Sequence, residues 1–213
     1  MKKKLRQKKK SGHGTGAVLA EEPRVANRVL LKLSGEALGD KQPIDGERLS
    51  FLAGEIFEAR KTNTQIATVI GGGNIFRGDL MRQSQGWKIS RVTGDYMGMI
   101  ATLINSLALA DSFEKLGMPS AVYSMIPACS IARPFERTGA ISDLQEGKIV
   151  IFAGGTGSPY VTTDTAAALK AIEINASCLL KATKVNGIYS DDPVKNKNAV
   201  FYRKISYADV LHN

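Results

Sequence analysis

The feature that most limits how this chain can fold is a repeated junction at which a short apolar run opens straight into glycine. It occurs after Arg28–Leu33 (Ser34, Gly35), after Gln65–Ile70 (Gly71, Gly72, Gly73) and after the run at 148–153 (Gly154, Gly155). Apolar, β-branched runs of this length have the dimensions of buried strands, and glycine at their ends lets the backbone come close to a neighbour or a ligand. Further runs at 120–125 and 177–182 bring the expected strands to five. Leu49, Leu52, Ala53, Ile56 and Phe57 follow helical spacing behind Asp45, a suitable N-cap. Helices are also expected at 95–116 and 134–146, closed by Gly117 and Gly147, and at 163–174, with Asn74 starting another. Alternating strand and helix predicts an α/β fold in which helices cover both faces of a mostly parallel sheet. Functional loops then lie at the carboxyl ends of the strands.

The formal charge of +9 invites a nucleic-acid reading. Lys2, Lys3, Lys4, Arg6, Lys8, Lys9 and Lys10 supply seven of those charges, leaving +2 for the rest of the chain. That segment has too little apolar surface to offset its ordering entropy and no aromatic residues to stack on bases. A solvated tail over 1–27 is therefore expected, and nucleic acid is not an expected partner. Near the start only Ala17 to Ala20 is apolar, and the stretch at 100–110 is broken by Thr102, Asn105 and Ser106, so neither secretion nor a membrane span is expected. Cys129 and Cys178 sit in apolar contexts and read as buried thiols of a cytoplasmic protein. His13 and His212 lie near the ends, which argues against a histidine triad or a His-rich zinc site in the core; no metal-ligating set is expected. No P-loop sequence occurs, and the dinucleotide fingerprint is not met between a strand and a helix.

The polar residues behind the strands suit phosphate. Lys32 ends the first strand as a compact cation, with the Ser34 hydroxyl and the Gly35 amide beside it, although a surface lysine in a turn has the same appearance. The Gly71–Gly73 run leads to Arg77, whose fork can clamp a phosphate bidentately. Behind Gly155, the residues Thr156, Gly157, Ser158, Pro159, Tyr160, Val161, Thr162 and Thr163 form a polar cradle, in which Thr163 or Asp164 also serves as a helix cap. After the fifth strand, Lys181 can face a triphosphate, Tyr189 a purine and Asp192 a ribose, while Asp-Asp-Pro is also ordinary turn chemistry.

Five motifs occur in order: Lys-Leu-Ser-Gly-Glu at 32–36, Ile-Gly-Gly-Gly-Asn-x-Phe-Arg-Gly at 70–78, Gly-Asp-x-Met-Gly-Met at 94–99, Gly-Thr-Gly-x-Pro-x-x-Thr-Thr-Asp at 155–164 and Leu-Lys-Ala-Thr-Lys-Val-x-Gly-x-Tyr at 180–189. Together they closely resemble those of the bacterial uridylate kinases of the amino acid kinase superfamily. The resemblance implies a three-layer αβα sandwich over 28–213 that transfers phosphate from ATP, with Mg²⁺, to UMP. It implies ATP contacts at Lys32, Ser34, Gly35, Gly73, Arg77, Thr183, Tyr189 and Asp192. UMP contacts are implied at Gly72, Asp95 and Thr156 to Thr163, with Lys32, Arg77 and Lys181 catalytic. Without the resemblance, Asp95 reads as an acid opening a helix, a favourable partner of its dipole. A homo-oligomer, a hexamer, is implied as well. Relatives have aspartate at the position of Asn186 and a longer loop around 40–44. They also continue past the final Tyr-x-x-Val-Leu segment through another helix-strand unit, so the domain is expected to be C-terminally incomplete. A nucleotide-binding regulator without turnover, and a superfamily kinase acting on a carboxylate or carbamate, stay open as alternatives.

Overall fold

The computed structural model describes residues 27–39, 42–77 and 89–212. The expected tail, apart from Asn27, and part of the 40–44 loop lie outside the described residues. In chain order the elements are β1 (Arg28–Leu33), a 3-10 turn (Gly35–Ala37), α1 (Gly46–Arg60), β2 (Gln65–Ile70), α2 (Arg91–Lys115), β3 (Ser120–Ser124) and β4 (Arg133–Pro134). There follow α3 (Arg137–Gln145), β5 (Ile149–Ala153), α4 (Thr163–Glu173), β6 (Cys178–Lys181), β7 (Ile188–Tyr189), β8 (Phe201–Tyr202) and α5 (Tyr207–His212).

The central sheet runs β4-β3-β5-β2-β1-β6, with every neighbouring pair parallel, and β7 and β8 form a separate antiparallel ribbon. Side chains alternate across a pleated strand, so an apolar run of five or six residues supplies two apolar faces at once. Leu33, Ile66, Ile70, Ile149 and Ile151 meet Leu49, Ala53 and Ile56 of α1 and Leu109 and Phe113 of α2. Leu30, Ala67, Val69, Val150 and Phe152 meet Ala140 and Leu144 of α3 and Ala167 of α4 on the opposite face. The result is a three-layer αβα sandwich. Among the described residues no helix is long and apolar enough to cross a membrane.

Local chemistry moves several expected boundaries. Ser90 caps α2 by accepting from the Thr93 N–H at 3.1 Å, so Asp95 sits in the second turn and does not open the helix. The third helix starts at Arg137 and not at 134, because Glu136 accepts from the amides of Thr138 (2.9 Å) and Gly139 (2.6 Å). Arg133 and Pro134 instead form an edge strand, a place where proline's missing donor costs nothing. Thr162, rather than Thr163 or Asp164, caps α4 through the Thr165 N–H at 3.2 Å. Asn74 starts no helix: it lies in a turn closed by Ile75 and Phe76 amides donating to the Gly72 carbonyl at 3.0 Å. Cys129 is exposed and Cys178 only half-buried, against the expectation of two buried thiols.

One buried hydroxyl is left over. Thr68, at the centre of β2, is fully buried and its Oγ1 has no hydrogen-bond partner among the described residues. Thr68→Val replaces an unsatisfied polar group by a methyl of nearly the same shape. The variant is expected to be more stable by about 1 kcal/mol, read as a higher midpoint at unchanged slope in urea unfolding.

Candidate active site

Lys32 and Lys181 are register partners on the neighbouring parallel strands β1 and β6. Two like charges on adjacent strands repel, and Asp164 resolves the conflict from the first turn of α4. Its Oδ1 meets Lys32 Nζ at 2.9 Å and its Oδ2 meets Lys181 Nζ at 2.8 Å. Burial opposes ionisation of Asp164, yet hydrogen bonds from Lys181 and Lys32 outweigh it and hold the carboxyl below the ordinary aspartate value. The Lys32 side chain is only 13% exposed, which confines its charge to one place above the β1–β6 seam.

The glycine run after β2 serves packing before it serves any ligand. A Cβ on Gly35 would lie 2.2 Å from Asn74 Oδ1 and 2.8 Å from the Gly71 carbonyl oxygen, so the loops after β1 and β2 interlock only because that position is glycine. A Cβ on Gly72 would press into α2, 2.7 Å from the Gly98 carbonyl oxygen. Gly73 is different, with open space around it and the Arg77 Nε as its nearest neighbour at 3.9 Å. Asn105, fully buried in α2, fixes the loop from beneath: its Nδ2 donates to the Gly71 carbonyl and to Asn74 Oδ1, both at 2.7 Å.

Above this loop opens a cavity of about 340 Å³ whose walls include Gly72, Gly73, Phe76, Arg91, Asp95, Thr102, Gly155, Thr156, Val161, Thr162 and Thr163. Its size suits a small ligand. Asp95 Oδ2 accepts the Tyr160 N–H at 2.7 Å and lies 3.7 Å from Arg91 Nε, while Oδ1 is unpaired among the described residues. Thr102 Oγ1 accepts the Gly154 N–H at 2.7 Å, tying the turn after β5 to α2. Gly157, Ser158, Pro159 and Tyr160 do not line the cavity. They make the outer turn, in which Tyr160 adopts a positive φ of 67° with its ring exposed and 5.1 Å from the Arg91 guanidinium.

The other expected nucleotide contacts lie on the segment after β6 and bond locally. Thr183 Oγ1 donates to the Val185 carbonyl at 2.6 Å, Tyr189 packs on Phe201 with centroids 5.1 Å apart, and Asp192 Oδ1 accepts the Val194 N–H at 3.0 Å. Ser34 is extended and its side chain makes no cap bond to the 3-10 turn. Arg77 Nε donates to the Gly73 carbonyl at 2.9 Å, and its Nη2 pairs with Glu36, which also takes Lys184.

Three participants escaped the reading of the sequence. Asp164 was taken for a cap, and Thr102 and Asn105 for breaks in an apolar stretch. The signal was there, since isolated polar residues inside an otherwise apolar helix need partners, and here those partners are the glycine turns.

A parallel sheet that collects cations and glycine turns at one carboxyl edge defines a phosphate-handling α/β protein. The chain belongs to the amino acid kinase family, whose model matches residues 27–212. It is 53% identical over 186 residues to the uridylate kinase of Coxiella burnetii, a match covering 86% of this chain and 75% of that protein. To the uridylate kinase of Legionella pneumophila strain Paris it is 49% identical over 186 residues, covering 86% and 74%. The crystal structure of UMP kinase from Bacillus anthracis is similar with a TM-score of 0.83 and 41% identity, over 89% of this chain and 78% of that one. That of UMP kinase from Ureaplasma parvum gives 0.81 and 33%, over 88% and 80%.

Proposed function

We propose that this chain transfers the γ-phosphoryl group of ATP to UMP, giving ADP and UDP, as a cytoplasmic step of pyrimidine nucleotide synthesis. The observation that carries the reading is the Lys32–Asp164–Lys181 bridge, with Thr163, the chain neighbour of Asp164, in the wall of a cavity that Gly72, Gly73, Gly155 and Asp95 also line. An oxygen of the UMP phosphate attacks the γ-phosphorus in line, and the bond from that phosphorus to the β,γ-bridging oxygen breaks. A phosphate monoester whose second pKa is about 6 is already anionic at neutral pH, so no side chain need remove a proton. What is required is to hold two repelling phosphates together and neutralise them, a task for Lys32, Lys181, Arg77 and the amides of the glycine turns.

Among the described residues no group of three His, Cys, Asp or Glu is placed to hold a metal ion, and both oxygens of Asp164 are taken by lysines. Mg²⁺ fits this reading as part of the MgATP substrate, held by phosphate oxygens. A homo-oligomer is part of the proposal too, supported by Tyr96, Ile100, Ile104 and Leu107, which expose an apolar stripe at helical spacing along α2.

ADP release with UMP, aspartate, glutamate, N-acetylglutamate and carbamate side by side tests the reading. Turnover with UMP alone is expected; turnover with an amino acid or carbamate, or UMP binding without turnover, overturns it. In the same assay Asp95→Asn is expected to raise the KM for UMP roughly tenfold or more with a smaller effect on kcat, because a charged hydrogen-bond acceptor for UMP is lost. An unaltered KM would remove Asp95 from the UMP site.

A further inference from the structure

We infer that Glu36 is a positioning residue, a single carboxylate that orients Arg77 of the loop after β2 and at the same time holds Lys184 of the segment after β6, so that both cations face ATP. The inference rests on the reading above, in which Arg77 and the segment after β6 take ATP.

Oε1 of Glu36 meets the Arg77 Nη2, and Oε2 meets the Lys184 Nζ. The Arg77 Nε is separately engaged by the Gly73 carbonyl at 2.9 Å. A guanidinium held at Nε and at one Nη cannot rotate, and its remaining N–H groups keep a fixed direction for a phosphate. Glu36 is itself fixed. It sits in the 3-10 turn, its carbonyl accepts from Arg48 Nη1 of α1 at 3.2 Å, and its neighbour Gly35 packs closely against Asn74 and the Gly71 carbonyl.

The two cations it holds are more exposed, with side chains 49% and 76% exposed against 30% for Glu36. Exposed ion pairs contribute little to stability, so the worth of this one lies in geometry. Asp164 joins two lysines across one strand seam, whereas Glu36 joins two loops that follow different strands. The opposite reading, that Glu36 competes with phosphate for its two cations, predicts the opposite sign: removing the carboxylate would tighten ATP.

Glu36→Gln, alone and combined with Arg77→Ala or Lys184→Ala, separates these by steady-state kinetics. The single variant is expected to melt with the wild type and to raise the KM for ATP roughly tenfold, the worth of one charge-assisted hydrogen bond, with a smaller effect on the KM for UMP. In the Arg77→Ala and in the Lys184→Ala background its effect on the KM for ATP should be smaller than in the wild type. Glu36→Asp, which keeps the charge, should recover most of the loss. An unchanged or lowered KM for ATP, additive losses in both backgrounds, no recovery with aspartate, or a drop in melting temperature that accounts for the loss would each overturn the inference. Wild-type turnover of UMP in the same assay separates the two claims: if it is present and the coupling is absent, Glu36 alone fails, and if it is absent, both fall.

Discussion

Lys32→Ala is expected to lower kcat for UMP phosphorylation roughly 10³-fold, a loss of about 4 kcal/mol of transition-state stabilisation. Lys32 is held from three sides. Its strand pairs with β2 and β6, its carbonyl accepts the Ala182 N–H at 3.0 Å, and its ammonium meets Asp164 at 2.9 Å. A charge fixed in this way contributes most when the bridging oxygen gains negative character, so kcat should fall further than KM rises. Steady-state kinetics with both substrates saturating checks this, and an unchanged kcat would remove Lys32 from the chemistry. The fold should tolerate the change, because no core contact depends on the ammonium.

Asp143→Ala should act on stability, on the other side of the molecule. Asp143 of α3 has a side chain only 6% exposed, and three groups converge on it: Tyr123 Oη at 2.7 Å, Arg133 Nη1 at 2.8 Å and Lys148 Nζ at 2.7 Å. These come from β3, from β4 and from the residue before β5, so a single carboxylate secures α3 to that end of the sheet. Burial opposes its ionisation, but the hydrogen bonds from Lys148 and Tyr123 and the charges of Lys148 and Arg133 outweigh it and depress its pKa. Alanine would strand the buried Tyr123 hydroxyl, while the more exposed Arg133 and Lys148 recover water. The expected loss is about 3 kcal/mol, or roughly 6–12 °C in Tm for a chain of this size.

The sign with pH follows from the depressed folded-state pKa. Asp143 contributes fully above the unfolded aspartate value of about 3.9, and its contribution is lost as pH falls through the folded-state pKa. The gap in stability between wild type and variant should therefore be constant near neutrality and close in acid. A gap that stayed constant down to about pH 2 would show that packing, and not charge, sets the cost.

The five main strands and the two-faced core were legible because strands buried on both faces write themselves as unbroken apolar runs, and the glycine junctions marked the proposed active edge. Arg133–Pro134 and the β7–β8 ribbon were not legible, since a two-residue strand has no period to read. Pro134 suits the first turn of a helix as well as it suits a sheet edge, and only the Glu136 cap decides between them. At the site, Lys32 and Arg77 stood out as cations beside glycine. What organises them, Asp164 and Glu36, did not, because their partners come from strands and loops far away in the chain. Which neighbours the glycines meet was hidden for a related reason: Gly35 and Gly72 yield to backbone from other segments, which no local pattern encodes.

The pairing of β1 with β6 has a consequence for how the protein comes into being. Ser177 donates to the Arg28 carbonyl across 149 residues of chain, so the first strand must wait for nearly the last before Lys32 and Lys181 share a carboxylate. Closing so large a loop is slow, and during synthesis the early strands leave the ribosome long before β6 does. The bridge at the proposed site is thus acquired late, and a nascent chain with most of its helices in place still lacks it.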